Sequence, residues 1–195
     1  MDKDKFPYHI ILASGSPRRQ QFFKDMDVPF QIQLKEIEEV YPNTLKAEAI
    51  TNYLAELKAA AFENLGPKDL LITSDTIVWH EEKALGKPKN EADAFQMLQS
   101  LSGKTHQVIT SVCFKTKEKL ETIYEVTEVT FKNLSEAEIT YYIENYKPFD
   151  KAGSYGIQEW IGSIGITKIE GSYTNVVGLP VEKVYNKLLE YAKIY

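Results

Sequence analysis

Strands and helices that alternate along the whole chain predict an α/β, or mixed α+β, fold. Three observations carry that expectation. Short apolar runs such as Ile10-Ile11-Leu12 and Leu70-Leu71-Ile72 have the length and composition of buried strands. Between such runs lie stretches whose apolar residues recur every three or four positions, as in amphipathic helices. Helix-starting residues stand in front of several of those stretches. The chain has 195 residues, 43% hydrophobic and 26% charged, too apolar for disorder and too broken by charge for a membrane protein. No repeat, low-complexity tract or Gly/Ser linker marks a boundary, so residues 1–195 are expected to form a single domain, at most two small lobes sharing a core.

The elements follow in order. After the strand Ile10–Ala13, Ser16 and Pro17 open a helix as N-cap and first helical residue. A long helix is expected from about Thr44 to Asn64, with Leu45, Ala49, Tyr53, Leu57 and Ala60 on one face and Gly66-Pro67 as its stop. Leu70–Ile72 and Ile77–Trp79 read as two apolar runs separated by Ser74-Asp75-Thr76. Asn90 then caps a helix carrying Phe95, Leu98 and Leu101, and Val108–Phe114 is a strand. Residues 122–131 form another strand, whose change of apolar phase suggests a bulge near Thr127. Ser135 and Glu138 have capping-box spacing ahead of a helix with Ile139, Tyr142 and Ile143. The Gly-punctuated stretch 147–178 is expected to hold short strands and a loop, and Pro180 starts a terminal helix.

Charge and cysteine content narrow the function. With 23 basic against 28 acidic residues the formal charge is −5, so no general nucleic-acid binding is expected. An anionic small substrate would need a local cluster of Lys and Arg, or a metal. The lone Cys113 rules out an intramolecular disulfide and sits in an apolar run, where it reads as a buried hydrophobe. The N-terminal residues are charged and lack an apolar signal core, and no stretch approaches ~18 uninterrupted apolar residues. The expectation is a cytoplasmic protein without a membrane span. The sequon Asn133-Leu134-Ser135 then arises by chance.

Common motifs fail in informative ways. Gly103-Lys104-Thr105 resembles the end of a Walker A loop, but the required earlier glycine is Leu98. His80-Glu81-Glu82 lacks the second histidine of a zinc protease, because position 84 is Ala84. There is no GxGxxG or GxSxG, and the three histidines are scattered.

The turn Leu12-Ala13-Ser14-Gly15-Ser16-Pro17-Arg18-Arg19 is more telling. Free N–H groups and the dipole at a helix start favour a phosphate, whereas two arginines there oppose the dipole. Either the arginines are simply solvated, or a polyphosphate accounts for them through bidentate guanidinium contacts. Asp75, between two apolar runs at a strand end or kink, is either a turn-stabilising residue or a metal ligand or general base acting on water. Lys58 borders the apolar stripe of the long helix, as a snorkelling lysine or a ligand. Gly86-Lys87-Pro88 and Asp150-Lys151 place further ammonium groups on loops, and Glu38-Glu39 adds a pair of carboxylates.

Taken in order, LASGSPRRQ, SDTIVW followed by GKPKN, LSGKTHQV, and DKAGSYGIQ with the later GSYTNVVGLP resemble the Maf family of nucleoside triphosphate pyrophosphatases. The resemblance runs from about Ile11 to Tyr185. It implies a mixed α/β fold like that of inosine triphosphate pyrophosphatases, a cleft between two lobes, and often a homodimer. It implies hydrolysis between the α- and β-phosphates with a divalent cation, Mg²⁺ or Mn²⁺. Asp75 matches the family's catalytic base. Ser14, Arg18 and Arg19 match its phosphate-binding turn, and Lys58 and Lys87 its basic residues. Glu39 matches an acidic metal position shared with Asp75, with the adjacent Glu38 as the alternative. Gly153–Gln158 looks like the subgroup acting on dTTP and UTP, which assigns specificity to Arg18, Thr76 and Gln158. Glu159-Trp160 departs from the small residue usual after that Gln. Rival expectations are the same chemistry on a methylated purine nucleotide, or a nucleotide-binding regulator. The resemblance also leaves the cellular purpose between nucleotide-pool cleansing and division arrest.

Overall fold

The structure, a computed structural model, describes residues 6–192. The charges at positions 1–5 noted above lie outside the described residues. The elements are β1 (His9–Leu12), α1 (Pro17–Asp25), β2 (Gln31–Ile32), α2 (Glu48–Ala60), β3 (Asp69–His80), β4 (Lys83–Leu85), α3 (Glu91–Leu101) and β5 (Thr105–Lys115). They continue with β6 (Leu120–Phe131), α4 (Glu136–Tyr146), a 3-10 turn (Ala152–Ser154), α5 (Trp160–Gly165), β7 (Ile166–Glu170), α6 (Tyr173–Val177) and α7 (Val181–Ala192). The seven strands make one mixed sheet of order β2-β1-β3-β5-β6-β7, with β4 paired to β3. β1 runs parallel to both β2 and β3, while β4 pairs antiparallel to β3 and β7 to β6. The expected mixed α/β class is the observed one.

By contacts the chain divides into two compact units. The first takes the residues up to Asp75, Thr110–Glu125 and those from Gly178 onward; the second takes Thr76–Ile109 and Val126–Val177. In the first unit strand alternation sorts side chains between two helical layers. Ile10, Leu12, Leu70 and Ile72 pack with Phe23 of α1 and Val184 and Leu188 of α7. Ile11, Leu71 and Cys113 pack with Ala55 and Ala59 of α2 and the following Phe62. Strands covered on both faces read as unbroken apolar runs, which is why Ile10–Leu12 and Leu70–Ile72 show no alternation. The second unit has its own core, in which Leu98 and Leu101 of α3 and Ile139, Tyr142 and Ile143 of α4 meet Val108, Val129 and Phe131.

The helix caps read from sequence are present. The Ser16 hydroxyl accepts from Arg19 N, Asn90 accepts from Asp93 N, and Ser135 and Glu138 form a reciprocal capping box. Three expectations need correction. The long helix is shorter than Thr44–Asn64: it starts after Ala47, whose φ is 47°, and ends at Ala60. A distant side chain serves that end: Lys115 Nζ donates to Ala59 O in the last turn at 2.9 Å and to Phe62 O just beyond it at 2.8 Å. The two runs around Asp75 are one continuous twelve-residue strand, so Asp75 lies in a strand interior and not at an end or kink. At Thr127 the apolar phase read from sequence changes where a polar side chain is buried, in phase with Val129 and Phe131, and the β6–β7 register shift falls between Thr130 and Phe131. Finally, residues 147–178 contain two short helices, α5 and α6, with the single strand β7 between them.

His80-Glu81-Glu82 is explained by the β3–β4 hairpin. Glu81 and Glu82 have φ of 47° and 59°, the two left-handed residues that a tight hairpin turn requires. Cys113 is buried, and burial pushes its thiol up to about 11, so it is inert. No helix among the described residues is long and apolar enough to cross a membrane.

Candidate active site

β3 sets the geometry of the first unit's polar centre. Leu71, Thr73 and Asp75 alternate onto one face of the strand, the face covered by α2. Thr73 Oγ1 donates to Ala55 O at 2.6 Å, fixing α2 against the strand one turn before Lys58. Lys58 Nζ then reaches Asp75 Oδ1 at 2.7 Å and Ser74 O at 3.4 Å. Asp75 is only 6% exposed, and a carboxylate that deep requires such a partner. The same ammonium lies 3.1 Å from Glu39 Oε1, which settles Glu39 rather than Glu38 as the acid on Lys58. Lys58 is therefore a bridge between two carboxylates, not a snorkelling lysine.

The turn before α1 arrives at the same place. Ser14 is buried, its Oγ accepts from Ser16 N at 3.3 Å, and its carbonyl accepts from Gln20 Nε2 at 3.0 Å. Arg19 Nε donates to Gly178 O at 2.8 Å and Arg19 Nη1 to Ser74 O at 3.0 Å. The guanidinium is thus held by backbone carbonyls rather than solvated. Burial lowers its pKa, and the Asp75 carboxylate opposes that fall. Arg18 is half-buried on the same first turn. Arg19, Lys58, Glu39 and Asp75 are thereby gathered within one unit around the Ser74–Asp75 peptide, with Ser14 in the turn that leads into Arg19.

The other expected residues belong to the second unit. Thr76 is half-buried in β3, and Lys87 is exposed on the loop after β4. That loop is anchored where Gly153 N donates to Gly86 O at 3.0 Å. Gln158 is exposed, in a turn closed by Glu159 N donating to Gly156 O at 3.0 Å. Lys151, read above as a loop ammonium, is 8% exposed and pairs with Asp150 at 2.7 Å and Glu159 at 3.0 Å. Trp160 begins α5, its ring edge-on to Tyr141 with centroids 4.8 Å apart, so its bulk is absorbed by packing. The carbonyls of Ser74 and Gly178 are functional groups no motif marks, because backbone acceptors carry no residue signature.

Comparison with known proteins identifies the family. Residues 9–191 match the family described as Maf-like protein. A protein of Flavobacterium johnsoniae named dTTP/UTP pyrophosphatase is 66% identical over 182 residues, 93% of this chain and 94% of that one. One of Bacteroides fragilis with the same name is 53% identical over 93% of this chain and 95% of its own length. Among solved structures, a HAM1 protein from Coxiella burnetii superposes with a TM-score of 0.52 at 13% identity, covering 94% of this chain and 99% of that one, a likeness of fold. With the motifs in place from the first strand to the last helix, and relatives this similar over almost the full length, the chain belongs to the Maf-like protein family.

Proposed function

We propose that the protein hydrolyses nucleoside triphosphates, dTTP and UTP by preference, to the nucleoside monophosphate and pyrophosphate. The observation that carries this reading is the convergence of Asp75, Lys58, Glu39 and Arg19 beside the Ser14–Arg19 turn. Its substrate preference is supported by the relatives named dTTP/UTP pyrophosphatase.

Asp75 acts as the base. Its carboxylate orients a water and takes its proton as the oxygen attacks the α-phosphorus in line; the bond from that phosphorus to the α,β-bridging oxygen breaks and pyrophosphate leaves. Arg19, fixed by two carbonyls before substrate arrives, supplies preorganised positive charge, with Arg18, Lys58 and Lys87 adding to it as charge develops on the leaving group. Ser14 and the start of α1 offer hydrogen bonds to the phosphates. Arg18, Thr76 and Gln158 select the nucleotide, the Gln158 amide offering the donor and acceptor that the O4/N3–H edge of thymine or uracil needs.

The residues present fit a divalent cation. Glu39 and Asp75 already turn their carboxylates on one positive group, and Mg²⁺ or Mn²⁺ takes one or two protein carboxylates while water and phosphate oxygens fill its other positions. The described residues hold no cluster of three His, Cys, Asp or Glu side chains, so those other donors would come from substrate and water. Bound there, the ion would neutralise triphosphate charge and polarise a phosphoryl oxygen.

Pyrophosphate release from a panel of dTTP, UTP, CTP, GTP and 7-methyl-GTP tests the reading. Release from dTTP and UTP that stops with a chelator and returns with Mg²⁺ or Mn²⁺ is the expected result. Orthophosphate as the sole phosphate product, or a preference for 7-methyl-GTP, contradicts it.

A further inference from the structure

Glu159 follows Gln158 directly in the chain, and its contacts give it a task in the second unit. Glu159 closes the turn Gly156–Glu159 through its backbone N–H and then sends its side chain back underneath. One carboxylate oxygen, Oε1, takes Lys151 Nζ at 3.0 Å; the other, Oε2, accepts a short hydrogen bond from the Tyr142 hydroxyl. Tyr142 is fully buried in α4, and its oxygen in turn accepts from Gly156 N at 3.0 Å. The turn that displays Gln158 is therefore gripped at both ends by one phenol. Burial and the Glu159 hydrogen bond both raise the Tyr142 pKa, so the phenol keeps its proton to donate.

The centre of this clamp has no spare room. A Cβ on Gly156 would stand 2.9 Å from the Glu159 carboxyl carbon, 3.0 Å from Gln158 Nε2 and 3.0 Å from Lys151 Cε. Gln158 is thus an exposed side chain whose amide rests on a buried, charge-paired base. Lys151 is buried beneath the turn and paired with Asp150 and Glu159, which makes it a support for the turn.

We propose that Glu159, with Tyr142 and Lys151, is a positioning residue for nucleotide selection: it holds the Gln158 amide in the orientation that reads the base. This rests on the reading that Gln158 reads the base, and the test separates the two. The full-length enzyme is assayed with dTTP and CTP, recording kcat and KM for each, in Glu159→Ala, Glu159→Gln, Tyr142→Phe, Gln158→Ala and the Gln158→Ala/Glu159→Ala double variant. Glu159→Ala and Tyr142→Phe should each lower the dTTP-to-CTP ratio of kcat/KM about tenfold, the size of one charge-assisted hydrogen bond, mainly through KM for dTTP. Glu159→Gln keeps an acceptor for Tyr142 and should restore most of the ratio. In the Gln158→Ala background the second substitution should change the ratio less than about twofold, because its effect passes through Gln158. If Gln158→Ala lowers the ratio while Glu159→Ala and Tyr142→Phe leave it intact, the positioning role is wrong and the reading of Gln158 stands. Equal losses on dTTP and CTP in the Glu159 and Tyr142 variants also overturn it, leaving only a structural role. An unchanged ratio in Gln158→Ala overturns the underlying reading and this proposal with it.

Discussion

Asp75 is the residue on which the proposed chemistry depends, and its surroundings say which substitution is informative. Its carboxylate is buried and paired to Lys58, so an apolar replacement would take from that ammonium one of its two carboxylate partners. Asp75→Asn keeps the shape and an acceptor while removing the basic oxygen. Turnover of dTTP should fall ~10²-fold or more with the far-ultraviolet spectrum unchanged, as expected for loss of a general base; parental turnover would place the base elsewhere. Arg19→Ala should behave differently. It should weaken all triphosphates alike, because phosphates carry no base identity, and also cost about 1–3 kcal/mol of stability by leaving the Ser74 and Gly178 carbonyls without their donor. Parallel denaturation and panel kinetics measure both, and a loss confined to dTTP and UTP contradicts the assignment. Asp75 and the two arginines stood out in the sequence because each broke a local expectation, a charge in an apolar run and cations at a helix start. Glu39 did not: two adjacent acids on a polar stretch look alike until one of them is 3.1 Å from Lys58.

At the scale of elements, α2 carries Lys58 to Asp75 and is held from outside itself. Thr73 fixes its middle and Lys115 its end. Lys115→Met keeps the aliphatic stem but removes the ammonium that serves the Ala59 and Phe62 carbonyls. The loss should be about 1–2 kcal/mol, as for a partly buried cation at a helix C-terminus. Activity should change less than stability, since Lys58, although in that last turn, is held by Asp75 and Glu39 themselves; a denaturant midpoint alongside kcat/KM checks this, and an unchanged midpoint shows that the cap is idle. The same contacts explain what could be read beforehand. Ser16, Asn90 and Ser135 cap through partners three residues away, so they were legible. The end of α2 was not, because its cap lies more than fifty residues along the chain. β3 looked like two strands because Ser74, Asp75 and Thr76 interrupt the apolar run, and the Lys58 ammonium that answers Asp75 comes from another element that local pattern does not reveal. α5 and α6, at six and five residues, are too short for a helical period to register.

For the whole molecule, stability should depend on pH through a group far from the chemistry in sequence. His106 is buried, its Nε2 is 2.7 Å from the Tyr155 hydroxyl, and its ring stacks on Phe131 with centroids 5.6 Å apart. Burial, with a smaller contribution from neighbouring His80, pushes its pKa down to about 3. An unfolded histidine titrates near ~6.5, so between that value and about 3 the unfolded chain holds a proton that the native protein excludes. Stability from this group is complete above pH ~6.5 and is lost as pH falls through the window; from pH 7 to pH 5 the linkage amounts to about 2 kcal/mol. The carboxylates of Glu121 and Glu138 do not mask it. Hydrogen bonds from Lys119 and Lys132, respectively, hold them below the ordinary glutamate value, so their contributions are lost at lower pH. Urea denaturation at pH 7 and pH 5 should show the drop. His106→Gln, which can still hydrogen-bond Tyr155 but cannot be protonated in the unfolded chain, should flatten it. An equally steep fall in that variant would assign the pH dependence to another group.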